Sequence, residues 1–242
     1  ARARSRCRSA ATGRSARRMG ALAGPSQVRE TREVRVSQFF QIHPDNPQAR
    51  LVRQAVDIIR DGGVVVYPTD SAYALGCHIG DKQALDRIRR IRRLDDRHNF
   101  TLVCRDLSEI AAYARVDNKA YRLLKHCTPG AYTFILRATS EVPRRLMHPK
   151  RKTVGLRVPD NRIAQALLAD LGEPLMSVTL VMPGEEYPLI DPYDIRQTLE
   201  RDVDLVIDGG YCGMEPTTVV DLADETPMLL RAGKGDPGPF EE

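Results

Sequence analysis

From Ser37 onward the apolar positions of the chain fall into two rhythms, and each rhythm predicts its own kind of element. Residues 39–42 read as a short strand. The turn signal His43-Pro44-Asp45-Asn46-Pro47 then leads into a stretch whose Leu51, Val52, Ala55, Ile58 and Ile59 share one helical face, and Gly62-Gly63 ends it. Residues 64–67 are a continuous run of valines and a tyrosine between glycine and proline, the pattern of a strand buried on both faces. The same reasoning predicts helices around 82–93, 107–114, 118–126, 161–171 and 192–200. Strands are expected at 100–104, 132–136, 153–158, 175–179, 205–207, 217–222 and 228–231. Helices and strands mixed in this order predict one layered α/β domain, α+β in some schemes, on a single twisted sheet.

Composition fits that picture. The chain has 242 residues, 42% of them hydrophobic, enough for one well-cored domain and too little for two large ones. No run of about 18 apolar residues exists, so no helical membrane span is expected. Five cysteines, an odd number without a C-x-x-C pair, favour free thiols in a reducing cytoplasm.

Charge divides the chain in two. Residues 1–36 carry ten arginines, no lysine and two glutamates, a net +8 against +5 for the whole, which leaves −3 for residues 37–242. The body is mildly acidic, and the overall basicity says little about its partners. The Arg-, Ala-, Ser- and Gly-rich segment 1–36 reads as a disordered extension. A targeting peptide and a nucleic-acid-binding arm are two readings of it; the preferred one is sequence upstream of a natural start at Val36, with the domain spanning 37–242.

Candidate chemistry clusters in three places. Pro68 cannot continue a central ladder, so the chain leaves the sheet there and delivers Thr69, Asp70 and Ser71 to a strand's C-terminal edge, where ligand sites in open α/β sheets form. Capping of a following helix by Asp70 or Ser71 is the competing reading. Six arginines lie between Arg87 and Arg97, and a second basic loop holds Arg144, Arg145, Lys150, Arg151 and Lys152. Such runs suit phosphates, or are simply solvated faces. Thr153 and Arg157 fall on the same face of one predicted strand, and Thr128-Pro129-Gly130 and Pro216-Thr217-Thr218 each introduce another.

Several motifs are declined. The segment 233–238 matches G-x-G-x-x-G without a helix to follow, Cys77-His78 and His126-Cys127 point apart on any strand, and five scattered histidines make no metal site.

Taken in order, these stretches resemble the YrdC/YciO-like family, which includes the threonylcarbamoyl-AMP synthases of tRNA modification. The family's P-T-D-T-x-Y-G-L-G-C loop is similar to residues 68–77, its P-G-P-x-T-x-I-L to 129–136, its G-x-R-x-P to 155–159, its S-T-x-V-D-L to 217–222 and its L-R-x-G to 230–233. The similarity is greatest to the YciO branch, through S-Q-F-F-x-I-H-P-D-N-P, T-D-S-x-Y-A-L-G-C and H-N-F-T-L.

The resemblance implies a mixed sheet flanked by helices with a concave groove for ATP or AMP and a threonine-like molecule. It implies ATP as substrate with Mg2+, no tightly bound metal, and tRNA or double-stranded RNA as a macromolecular partner. Carried over, Thr69 and Ser71 would contact the amino acid, Arg92, Thr153, Arg157, Ser177, Thr179 and Thr217 would line the groove, and Arg92, Ser177 and Arg231 would meet the nucleotide. No catalytic residue is assigned. Two departures argue against full synthase activity: Leu94 stands where the family has an arginine, and Val181 where it has an asparagine. The expected function is therefore a YciO-like, nucleotide- and RNA-binding protein related to the synthases. The alternatives are a non-catalytic double-stranded RNA-binding module and a hydrolase of threonylcarbamoyl-AMP.

Overall fold

A computed structural model of the chain describes residues 36–95 and 98–240. Of the Arg-rich extension, residues 1–35 lie outside the described residues, as does Arg97 of the arginine run. The strands are β1 (Gln38–Gln41), β2 (Val65–Tyr67), β3 (Ala74–His78), β4 (Thr101–Val103), β5 (Tyr132–Arg137), β6 (Thr153–Arg157), β7 (Leu175–Thr179), β8 (Leu205–Asp208), β9 (Thr218–Asp221) and β10 (Met228–Arg231). They form one mixed sheet in the order β1-β8-β2-β3-β7-β4-β6-β5-β9-β10. The helices are α1 (Ala49–Arg60), α2 (Lys82–Arg92), α3 (Leu107–Tyr113), α4 (Asn118–Cys127), α5 (Arg162–Leu171) and α6 (Pro192–Leu199). Five of the six begin where an aspartate or asparagine caps the first turn: Asp81, Asp106, Asp117, Asn161 and Asp191.

Strand β3 has no counterpart in the sequence-based reading. Its Ala-Leu-Gly-Cys-His lacks the β-branched character that marks a strand, yet β3 pairs antiparallel with both β2 and β7 near the middle of the sheet. The chain therefore turns back after Tyr67 as a hairpin. No helix follows Asp70 and Ser71, and the capping interpretation of these residues falls away.

Alternation along the strands sorts side chains to two faces. On one face Val66, Leu75, Met176, Leu102, Leu156 and Phe134 pack beneath α2, α3, α4 and α6, through Ile88, Ile110, Leu124 and Ile195. On the other, Val65, Tyr67, Leu205 and Ile207 are covered by α1 and α5. That helix pair covers the β1-β8-β2 side and reaches Ala74, Leu175 and Val103 at the near ends of β3, β7 and β4. Beyond those positions the same face of β7, β4, β6, β5 and β9 is lined by the groove.

Asp204 ties the first half of the sheet to α2. Its carboxylate accepts from the Val64 backbone N–H at 2.7 Å and from Arg87 at 2.7 Å, and Arg87 also donates to the Asp202 carbonyl. Asp204→Ala is expected to destabilise the fold by about 1–3 kcal/mol, because an inward-facing amide and a guanidinium lose their acceptor together. A urea titration monitored by circular dichroism measures it; a midpoint equal to that of the parent chain would refute this role.

Candidate functional site

Register brings the groove's floor together. Ser177 of β7 pairs with Thr101 of β4, Thr101 with Gly155 of β6, and Gly155 with Ile135 of β5, so these four stand in one row across the sheet. Neighbouring rows supply Thr179, Val103, Arg157, Thr153, Thr133 and Val219. Gly155 keeps the row open: a Cβ there would stand 3.2 Å from the Thr101 Oγ1. Loops complete the walls, and the enclosed volume is about 780 Å3.

Eight of the nine residues singled out in the sequence line this one cavity: Thr69, Arg92, Thr153, Arg157, Ser177, Thr179, Thr217 and Arg231. They come from six separate stretches of chain. Ser71 does not line it; buried behind the wall, its Oγ accepts from Arg157 at 3.3 Å. Thr69 is largely committed to its own turn, since its Oγ1 donates to the Ala72 carbonyl at 2.6 Å and accepts from the Ser71 and Ala72 amides, both at 3.2 Å. The loop therefore has a fixed shape before any ligand arrives.

Four arginines reach the cavity, in two electrostatic states. Arg157 is paired with Asp70, both side chains being more than nine-tenths buried, and Asp70 also accepts from the Asp160 amide at 3.2 Å. Arg151 is bound to Asp221 at 2.5 Å and Asp224 at 3.3 Å. Arg92 and Arg231 have no carboxylate partner among the described residues. Arg231 donates to the Thr217 carbonyl at 2.8 and 3.2 Å, while the Arg92 Nε is buried without an acceptor. Burial pulls the pKa of both guanidinium groups below the ordinary arginine value.

Hydroxyls supply further polar positions in and behind the floor. Tyr67 donates to the Ser177 Oγ at 2.8 Å, and Ser177 donates to the Leu75 carbonyl at 3.2 Å. Burial pushes the Tyr67 phenol up to about 12, so it stays a neutral donor. Thr133 and Thr217 share a hydrogen bond of 2.9 Å across β5 and β9.

The basic stretches divide. Arg87 is held by Asp204, and Arg145 donates to the Ile79 and Gly80 carbonyls, which makes both structural. Arg90, Arg93, Arg144, Lys150 and Lys152 are exposed. Both departures from the synthase pattern are visible: Leu94 packs against the hydrophobic core, and Val181 lines the cavity.

Sequence reasoning missed His98, Asn99, Thr101, Thr133, His148 and the Glu186-Tyr187-Pro188 loop as lining residues. Thr133 and Thr101 had a signal, a polar residue on the groove side of an otherwise apolar strand. The loop had none.

Comparison with known proteins places the fold. The Sua5/YciO/YrdC family model, described as telomere recombination, matches residues 57–233. Similarity to the uncharacterized protein YciO of Escherichia coli K12 is 63% identity over 205 residues, covering 85% of this chain and all of that protein. The crystal structure of E. coli YciO superimposes with a TM-score of 0.82 over 84% of this chain and 99% of the other. More distant is the threonylcarbamoyl-AMP synthase of Bacillus subtilis 168, 27% identical over 195 residues, 80% of this chain but 55% of the synthase. P. abyssi Sua5, crystallised with L-threonine, shares the fold at a TM-score of 0.73 and 24% identity, over 81% of this chain and 58% of the other. Among the described residues no helix is long and apolar enough to cross a membrane.

Proposed function

The chain belongs to the Sua5/YciO/YrdC family, and from that membership we propose that its groove holds an adenine nucleotide together with a threonine-like amino acid, to act on or slowly form an acyl- or carbamoyl-adenylate. The observation that carries this reading is the convergence of Thr69, Arg92, Arg157, Ser177, Thr217 and Arg231 on one cavity from distant parts of the sequence. The B. subtilis relative is a threonylcarbamoyl-AMP synthase, and the P. abyssi relative binds L-threonine, which supports the choice of ligands.

The groove's chemistry is positioning and charge neutralisation. Arg92 and Arg231, without a carboxylate partner among the described residues, offer fork-shaped donors to anionic groups, whereas the Asp70–Arg157 pair presents an immobile wall. Magnesium would enter with ATP, held by its phosphate oxygens and water, and would offset their charge. Among the described residues no three His, Cys, Asp or Glu side chains are grouped to hold a metal. With Leu94 turned into the core and Val181 apolar, the pyrophosphate end has fewer donors than the synthase pattern, which favours slow turnover or action on a preformed adenylate.

Incubation with ATP, threonine and bicarbonate, followed by detection of pyrophosphate and AMP, tests the reading. Arg92→Ala is expected to weaken AMP binding about tenfold or more in calorimetry, the worth of one charge-assisted contact. Unaltered affinity would remove Arg92 from the site.

A second reading, a module for double-stranded RNA in the cytoplasm, rests on the exposed Arg90, Arg93, Arg144, Lys150 and Lys152. Salt-sensitive RNA binding without turnover favours it.

A further inference from the structure

One carboxylate stands among the groove's cations. Four arginines line the cavity, yet among its described lining residues Glu186 is the sole acidic side chain. The aspartates that hold Arg157 and Arg151, namely Asp70, Asp221 and Asp224, do not line it. Glu186 is exposed and belongs to none of the ion pairs among the described residues, so its charge is uncommitted.

The loop that carries it is pinned. Residues 181–190 join β7 to α6. At one end the Leu180 N–H donates to the Tyr73 carbonyl at 2.9 Å, and at the other the Ile190 carbonyl accepts from the Cys212 N–H at 3.4 Å. The Cys212 thiol in turn donates to the Thr69 carbonyl at 3.8 Å. Between these ties Gly184 takes a left-handed φ of 89°, in a turn closed by the Glu185 N–H donating to the Met182 carbonyl at 3.0 Å. Pro188 is buried on the cavity wall, and Leu189 packs against the core. Both ends of the loop are thus tied to the turn at 69–73, directly or through Cys212, and Glu186 lines the same cavity as Thr69.

A ligand entering here meets donors and few free acceptors. The Thr69 Oγ1 already accepts from two amides, and the Ser177 Oγ accepts from Tyr67. A cationic group taken out of water needs an acceptor of its own, and a carboxylate supplies an ammonium with opposite charge and hydrogen bonds together.

We propose that Glu186 is a specificity-determining residue that selects, for the part of the groove beside Thr69, a ligand bearing a primary ammonium: a free α-amino acid rather than one whose nitrogen is already acylated. The inference rests on the reading of the groove as a nucleotide and amino-acid site, and it adds which group of the amino acid is recognised and by which residue. An acylated nitrogen carries no positive charge, so against such a ligand the carboxylate would gain no partner.

The test is calorimetry in the presence of AMP, with L-threonine and with the hydroxy acid that bears a hydroxyl in place of its amino group, on the parent chain and on Glu186→Gln. The parent is expected to prefer threonine by about fivefold or more, the worth of a charge pair at a partly solvated site, and Glu186→Gln to lose that preference. A preference absent from the parent, or surviving intact in Glu186→Gln, overturns the proposal; AMP binding that Arg92→Ala weakens leaves the nucleotide reading standing. A parent that binds AMP but no threonine overturns it likewise. Binding of neither sinks both readings. The replaced side chain is exposed, and a melting midpoint matching the parent's shows that the variant is folded.

Discussion

Replacing Asp70 with alanine is expected to lower the unfolding free energy by about 3–5 kcal/mol, because Arg157 is then left charged in a wall where its side chain is only 8% exposed. Arg157→Ala strands the carboxylate in the same way and carries a similar cost. Asp70→Ala combined with Arg157→Met is expected to be markedly less damaging than the two single losses added together, since no charge is left buried. Urea unfolding of all three, with the slope checked for constancy, gives the coupling energy. Single replacements that each cost below about 1 kcal/mol would show the pair to be solvated, and the preformed wall would go with it. The experiment also separates two roles of Arg157: a variant that remains folded at low temperature but no longer binds nucleotide has lost a ligand contact as well as a structural one.

The second large effect is steric. Gly155 sits in the row Ser177, Thr101, Gly155, Ile135, and the space above it is the floor of the cavity. Gly155→Val is expected to abolish AMP binding, a loss of at least about a hundredfold or about 2.7 kcal/mol, as two methyl groups project where the proposed ligand would lie. The fold should tolerate the change better than the site does, because the neighbours of the new Cβ are the Thr101 hydroxyl at 3.2 Å and the Thr133 methyl at 3.5 Å, which have groove-side space to move into. Calorimetry beside a thermal melt distinguishes the outcomes. Unimpaired binding by a folded Gly155→Val would place the ligand elsewhere.

The elements of this fold were legible where periodicity is strong. Helix α1 has Val52, Ala55, Val56 and Ile59 buried along one face, and β2 is wholly buried, as their patterns require. Strand β3 was not legible. Ala74, Leu75, Gly76, Cys77 and His78 carry no β-branched residue, and Gly76 is required there because a Cβ would meet Leu175 at 2.7 Å and Tyr67 at 2.8 Å. A constraint imposed by strands a hundred residues away leaves no local trace. The site shows the same division. Hydroxyls and arginines on strands announced themselves by alternation, but which arginines face the cavity depends on partners such as Asp204 for Arg87 and Asp221 for Arg151, and sequence distance hides those pairs.

The strand order has a temporal corollary. Strand β9 docks parallel to β5 and holds β10 at the sheet's edge, and the preceding Thr217 together with Arg231 closes one side of the hollow. During synthesis these pieces emerge after the other strands, well after Thr69, Arg92 and Arg157 have left the ribosome. A nascent or C-terminally clipped chain ending before residue 231 would hold a nearly complete sheet yet lack one side of the hollow, so under the proposed nucleotide reading it is expected not to bind AMP until the final strand has been made.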